Sequence, residues 1–206
     1  MSCVDDLVKK AQKFKAKGLS DTEIAEELNI QVDTVVWLLQ REVGKKEVKF
    51  PADYAIDWSN VGSSSRRLSL FGWALADLAK EALERKEFEA FDVVVGVDLS
   101  GAPMGLMVAD ELGKPFTIVR FPRRDEKGKQ IVPGIVTSYS YPLKGKKILL
   151  VNDVISTGII LRTVIKYFKE QKVTPVGMVV IADKRGGGKL DNVKVKALIN
   201  MTSFKR

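Results

Sequence analysis

The chain has 206 residues, of which 45% are apolar, 29% charged and 8% aromatic, a profile that fits a folded globular chain and not a disordered or fibrous one. It contains no histidine and one cysteine. That excludes a Ser-His-Asp triad, a Cys/His zinc centre, imidazole acid–base chemistry and an internal disulfide, and Cys3 alone suits a reducing cytoplasm.

The formal net charge of +8 is uneven, with −1 on residues 1–47 and +9 on the rest. A basic main body fits phosphates or nucleic acid as partners, and equally a lysine-rich surface. The longest apolar runs, Val93–Val95 and Ile148–Val151, are strand-sized, so no membrane span is expected. Asp5, Asp6, Lys9 and Lys10 fall where a signal peptide needs apolar residues.

Val4, Leu7, Val8, Ala11 and Phe14 repeat at helical spacing, which predicts an amphipathic helix over 4–17 ended by Gly18. Ser20-Asp21-Thr22-Glu23 is a capping box opening a second helix with Ile24, Ala25 and Leu28 on one side. Asn29 tolerates the left-handed turn that follows, and a third helix carries Val32, Val35, Leu38 and Leu39. The pattern Leu19-Ser20-x-x-Glu23-Ile24-Ala25-x-x-Leu28-Asn29-Ile30-x-x-x-Thr34-Val35 resembles a helix-turn-helix DNA-binding domain, covering residues 1–43. The resemblance implies that the third helix enters the major groove with Gln31, Asp33, Thr34, Trp37 and Gln40, while Lys9, Lys13 and Lys17 meet phosphates. One departure stands out. This helix has no basic residue before Arg41, so the electrostatic grip must come from elsewhere. A helical protein-interaction or dimerisation module is the alternative.

Residues 44–65 read as a polar connection. A long helix is predicted over Arg66–Glu87, then strand Phe91–Val97, helix Pro103–Leu112, strand Pro115–Val119, strand Lys146–Asn152, helix Ile159–Gln171, and strands Pro175–Ala182 and Val193–Ile199. Apolar strands alternating with helices imply an α/β domain, a parallel sheet covered on both faces, over 66–206. Ligands of such sheets bind at the carboxyl ends of the strands.

Two strand-to-helix turns lie there. Asn152-Asp153-Val154-Ile155-Ser156-Thr157-Gly158 brings hydroxyls, backbone N–H groups and a helix N-terminus to one anion site. Gly96-Val97-Asp98-Leu99-Ser100-Gly101-Ala102-Pro103 has small residues where backbone approaches a pyrophosphate. Together with Asp183-Lys184-Arg185-Gly186, these segments resemble the phosphoribosyltransferase family of the type I fold over about residues 66–200, with orotate-type enzymes nearest. The resemblance implies that Ser156, Thr157 and Gly158 hold the 5-phosphate of a phosphoribose, with Asp153 on its hydroxyls and Asn152 beside it. Asp98, Ser100 and Gly101 form the pyrophosphate loop, Arg123, Arg124 and Lys127 a mobile loop, and Arg185 meets a base or other effector group. Mg²⁺ is expected to arrive with phosphoribosyl diphosphate, held mainly by the ligand's own phosphates and not by the protein alone.

The departures from the enzymes decide the expected function. Asn152 replaces the first of two acids in the signature, Ile159, Ile160 and Leu161 stand where the loop closes with Thr or Ser, and the Lys-x-His-Gly run is missing. The combination is similar to the archaeal orotate phosphoribosyltransferase-like transcriptional regulators, whose linker resembles Phe50–Trp58 and Arg66-Arg67-Leu68. That implies a homodimeric, DNA-binding regulator responding to a phosphorylated small molecule. An active orotate-type phosphoribosyltransferase with a helical extension is the alternative reading, and a phosphoribose-binding scaffold for another protein is a third.

Overall fold

The computed structural model describes residues 3–40, 54–120, 134–135 and 141–202, and the chain divides into two compact units, Met1–Asp57 and Trp58–Arg206. The boundary falls inside the segment read as a connection. Trp58 packs with the core of the second unit.

The first unit holds α1 (Cys3–Ala16), α2 (Asp21–Glu27) and α3 (Val32–Gln40). The capping box forms as its residues dictate: Ser20 N–H donates to Glu23 Oε2 at 2.7 Å, and Glu23 N–H donates to Ser20 Oγ at 3.3 Å. Asn29 takes the left-handed conformation between α2 and α3, with φ of 52°. Val8, Ala11, Ile24, Ala25, Ile30, Val35 and Leu38 make a core of their own. Ala25 is fully buried there.

The second unit runs α4 (Ser59–Gly62), α5 (Ser65–Glu84), β1 (Val93–Val97), α6 (Asp98–Leu112), β2 (Phe116–Arg120), β3 (Gly134–Ile135), β4 (Lys147–Ile155), α7 (Ile159–Glu170), β5 (Thr174–Asp183), β6 (Gly188–Leu190) and β7 (Val193–Asn200). The strands form one sheet of order β3-β2-β1-β4-β5-β7-β6. The pairs from β2 through β7 are parallel, while β3 and β6 pair antiparallel at the two edges. Alternation along each strand separates two cores. Val93, Val95, Ile148, Leu150, Met178 and Val180 meet Leu161, Val164, Ile165 and Phe168 of α7. Val94, Leu149, Val151, Val179 and Ile181 face Leu75, Ala76 and Ala79 of α5 and Met104 and Val108 of α6. Both sheet faces are covered, which is why the strands read as unbroken apolar runs.

Several elements differ from the sequence reading. Helix α6 starts at Asp98 and not at Pro103, so Pro103 lies inside the helix, where it has no N–H to give the i−4 carbonyl. The helix predicted to Glu87 stops at Glu84. Strand β4 continues to Ile155, so Asn152 and Asp153 belong to the strand and the loop proper is Ser156–Gly158. The two-residue β3 and three-residue β6 were not anticipated, since segments this short show no period.

Candidate phosphate-binding site at the strand carboxyl ends

Parallel register brings Gly96 of β1 beside Val151 of β4 and Ile155 of β4 beside Asp183 of β5. The three strand ends therefore open onto one rim. At its centre β4 turns through Ser156-Thr157-Gly158 into α7. Gly158 has φ of 77°, and a Cβ there would lie 3.0 Å from Leu190 Cδ1. The position needs glycine for its backbone angle. Thr157 Oγ1 accepts from the Ile159 N–H at 3.3 Å, and Ser156 is buried. The N-terminal end of α7 and its dipole suit an anion at this loop.

The turn after β1 lies alongside. Asp98 takes φ of 56°, and its carboxylate accepts from Leu99 N–H at 2.9 Å. Ser100 Oγ donates to Asn152 Oδ1 at 3.3 Å, and Asn152 Nδ2 donates to the Val154 carbonyl at 3.0 Å. Asn152, standing where an acid was expected, thus bridges the first turn of α6 to β4. Gly101 is buried under the same contact; a Cβ there would sit 2.5 Å from the Val151 carbonyl oxygen.

Two half-buried carboxyls remain at the rim. Burial raises the pKa of Asp153, against the hydrogen bond from Val154 N–H, and the neighbouring Asp98 charge raises it further. Burial likewise raises Asp98, whose cation neighbour Arg120 stands 4.0 Å away. Asp153 and Asp98 are the carboxyls of this rim that could meet a hard cation.

Arg185 was expected to meet a base or other effector group. Its guanidinium lies on the fully buried Asp183, with Nε–H donating at 3.0 Å and Nη2–H at 2.7 Å. Asp183, read in the sequence only as part of a turn motif and without a role, and Arg120, not singled out there, also stand at the rim. The only signal for Asp183 was an acid two residues from an arginine at a strand end. Arg123, Arg124 and Lys127 lie outside the described residues.

In the first unit, Gln31, which precedes α3, and Asp33 of α3 are exposed, as are Lys9, Lys13 and Lys17. Thr34, expected at a groove, is 5% exposed; it shares the inward face of α3 with Val35 and Leu38, one turn apart. Trp37 is half-buried against the same core. Gln40 closes α3, and its side chain lies outside the described residues.

A mostly parallel sheet, helices on both faces and a hydroxyl-Thr-Gly loop after β4 define a phosphoribosyltransferase-fold domain, here behind a separate three-helix unit. Residues 68–205 match the family model for the phosphoribosyl transferase domain. The whole chain is 38% identical over 205 residues to the transcriptional regulator GfcR of Methanocella arvoryzae, covering 98% of each. It is 38% identical over 204 residues to the GfcR of Methanococcoides burtonii, again covering 98% of each. The chain belongs to the GfcR transcriptional regulators, a family built on the phosphoribosyl transferase domain. Among solved structures, the orotate phosphoribosyltransferase of Aeropyrum pernix shares the fold with a TM-score of 0.56 at 21% identity, over 76% of this chain and 85% of that one. The adenine phosphoribosyltransferase of Thermoanaerobacter pseudethanolicus does so with a TM-score of 0.55 at 19% identity, over 78% and 97%.

Proposed function

We propose that this transcriptional regulator binds DNA through its three-helix unit, as a helix-turn-helix, and senses phosphoribosyl diphosphate or a related sugar phosphate at the rim of its sheet. The observation that carries the reading is the Ser156–Gly158 loop at the head of α7, flanked by Asp153 and by the Ser100–Asn152 bridge. The loop supplies donors for a phosphate, and Asp153 an acceptor for sugar hydroxyls. Mg²⁺ would be held by the ligand's phosphates with Asp153 and Asp98, and would neutralise charge where two carboxylates and a diphosphate meet. DNA contact is assigned to Gln31 immediately before α3, with Lys9, Lys13 and Lys17 on phosphates.

A homodimer completes the reading. Leu70 and Trp73 of α5 and Leu99 and Leu106 of α6 are exposed apolar side chains, an arrangement suited to covering by a second copy. Transfer of phosphoribose to orotate or purines is expected to be absent, because Asn152 is engaged in a structural bridge.

Fluorescence anisotropy with an upstream promoter fragment, a scrambled fragment and a titration of phosphoribosyl diphosphate tests the whole reading. Tighter binding to the promoter fragment, shifted about tenfold by the ligand, is expected for a coupling of ordinary size. Equal affinity for both fragments sinks the DNA-binding assignment. Thr157→Leu should abolish the ligand response and leave the melting temperature within about 2 °C; an intact response in that variant removes the loop from the site.

A further inference from the structure

Arg185 has more partners inside the protein than a ligand-reading side chain can spare. Its backbone N–H donates to Asp183 Oδ1 at 2.9 Å, Nε–H donates to the same oxygen at 3.0 Å, and Nη2–H donates to Oδ2 at 2.7 Å. Nη1–H donates to the Lys189 carbonyl of β6 at 3.3 Å. The stem of the side chain passes Gly158, with Arg185 Cδ 3.7 Å from where a Cβ would stand. Asp183 is fully buried and the arginine side chain only 17% exposed. A carboxylate in that position must keep its cation. Withdrawing the guanidinium towards a ligand would strand a buried charge, which costs far more than one new ligand contact returns.

We propose that Arg185 is a positioning residue and not a ligand contact: paired with Asp183, it pins the β5–β6 turn against Gly158, so the site takes a phosphoribosyl or sugar-phosphate ligand without selecting for an acidic base. The inference rests on the reading of Ser156–Gly158 as a phosphate site and specifies its ligand class.

A contact and a clamp respond differently to removing both charges. Arg185→Met alone leaves Asp183 buried and unpaired, so it should lower the melting temperature and weaken phosphoribosyl diphosphate about tenfold or prevent folding. Adding Asp183→Asn removes the stranded charge, while Met keeps the stem beside Gly158. The double variant should recover stability and bind phosphoribosyl diphosphate within about threefold of the unmodified protein in calorimetry. A loss of about tenfold or more in the double variant overturns the proposal, because no change at position 183 replaces a lost ligand contact. The unmodified protein should also bind orotidine and uridine 5′-monophosphates equally, or neither, since they differ only by the carboxylate on the base. An approximately tenfold preference for the former overturns the ligand class. If phosphoribosyl diphosphate itself does not bind, the phosphate-site reading fails, and thermal unfolding across the two single variants and the double still judges the clamp. Additive effects, with no recovery in the double variant, reject it.

Discussion

At the scale of single residues, the rim of the sheet holds charge that the fold would hold more easily as neutral groups. Asp153 is the sharpest case. In the unfolded chain its carboxyl ionises near 3.8, and burial raises that value in the folded protein. The charged form is therefore the less stable one in the fold. Its contribution is most favourable below the unfolded pKa and is lost as pH rises through the folded one. Asp153→Asn should accordingly raise the melting temperature at neutral pH, and the gain should vanish on acidification below about pH 4, where the native residue is neutral as well. The same variant should weaken phosphoribosyl diphosphate about tenfold by removing an acceptor for the sugar hydroxyls. Thermal unfolding over a pH series with parallel calorimetry checks both halves, and a destabilised variant at neutral pH would refute the first. Ser20 is the opposite kind of residue, wholly structural. Losing its cap in Ser20→Ala should cost the first unit about 1 kcal/mol, seen as earlier helix melting by circular dichroism.

At the scale of elements, α6 is held on the sheet by missing side chains. Gly96, Gly101 and Gly105 form a seam in which each hydrogen occupies space a methyl would need. A Cβ on Gly105 would lie 2.8 Å from Phe116 Cε2 and 2.9 Å from Gly96 Cα, and one on Gly101 2.5 Å from the Val151 carbonyl oxygen. The nearest obstacle at Gly101 is backbone of the central strand and cannot yield. Gly101→Ala should therefore lower stability in urea by about 1–3 kcal/mol through overpacking. It should also displace Ser100 from Asn152 and weaken the ligand. An unchanged urea midpoint would show that α6 can move away from β4 at no cost. Gly96 and Gly101 were legible in the sequence as small residues near a pyrophosphate loop; Gly105 was not singled out. The packing of Gly101 against β4 was not legible either, because it depends on which strand lies next to β1.

At the scale of the whole molecule, the proposed function predicts that the two units act together and with a second copy of the chain. The first unit is close to neutral, so one copy should grip DNA weakly, and affinity should come from pairing and from basic residues of the second unit. Two-fold pairing predicts an inverted repeat with half-sites about 34 Å apart or a multiple of it. Gln31→Ala should cost roughly 1–3 kcal/mol on the preferred site and little on scrambled DNA. Lys13→Ala should weaken both alike and reduce the salt slope by about one. Gel shifts over a salt series separate these outcomes, and identical behaviour of the two variants would mean that neither side chain reads or positions the duplex. Light scattering at micromolar concentration tests the dimer. A monomer there counts against the operator symmetry as well.

The sequence by itself determined what local chemistry controls. The capping box at Ser20–Glu23, the left-handed Asn29, the two-sided strands such as Val93–Val97 and the glycine at 158 each follow from steric or hydrogen-bonding demands met within a few residues. The order of loops along the chain was equally plain, and with it the family resemblance. Tertiary structure decided what depends on neighbours far along the chain. It turned Thr34 inward with Val35 and Leu38, since an amphipathic helix with a short polar residue at the margin of its apolar stripe has two acceptable rotations until the other helices fix one. It carried β4 two residues past the polar Asn152-Asp153 pair, because pairing with β5 supplies backbone hydrogen bonds that no local preference foretells. It placed Arg185 on Asp183, for a charge at a strand end can face solvent, ligand or core, and only the burial of its partner settles which.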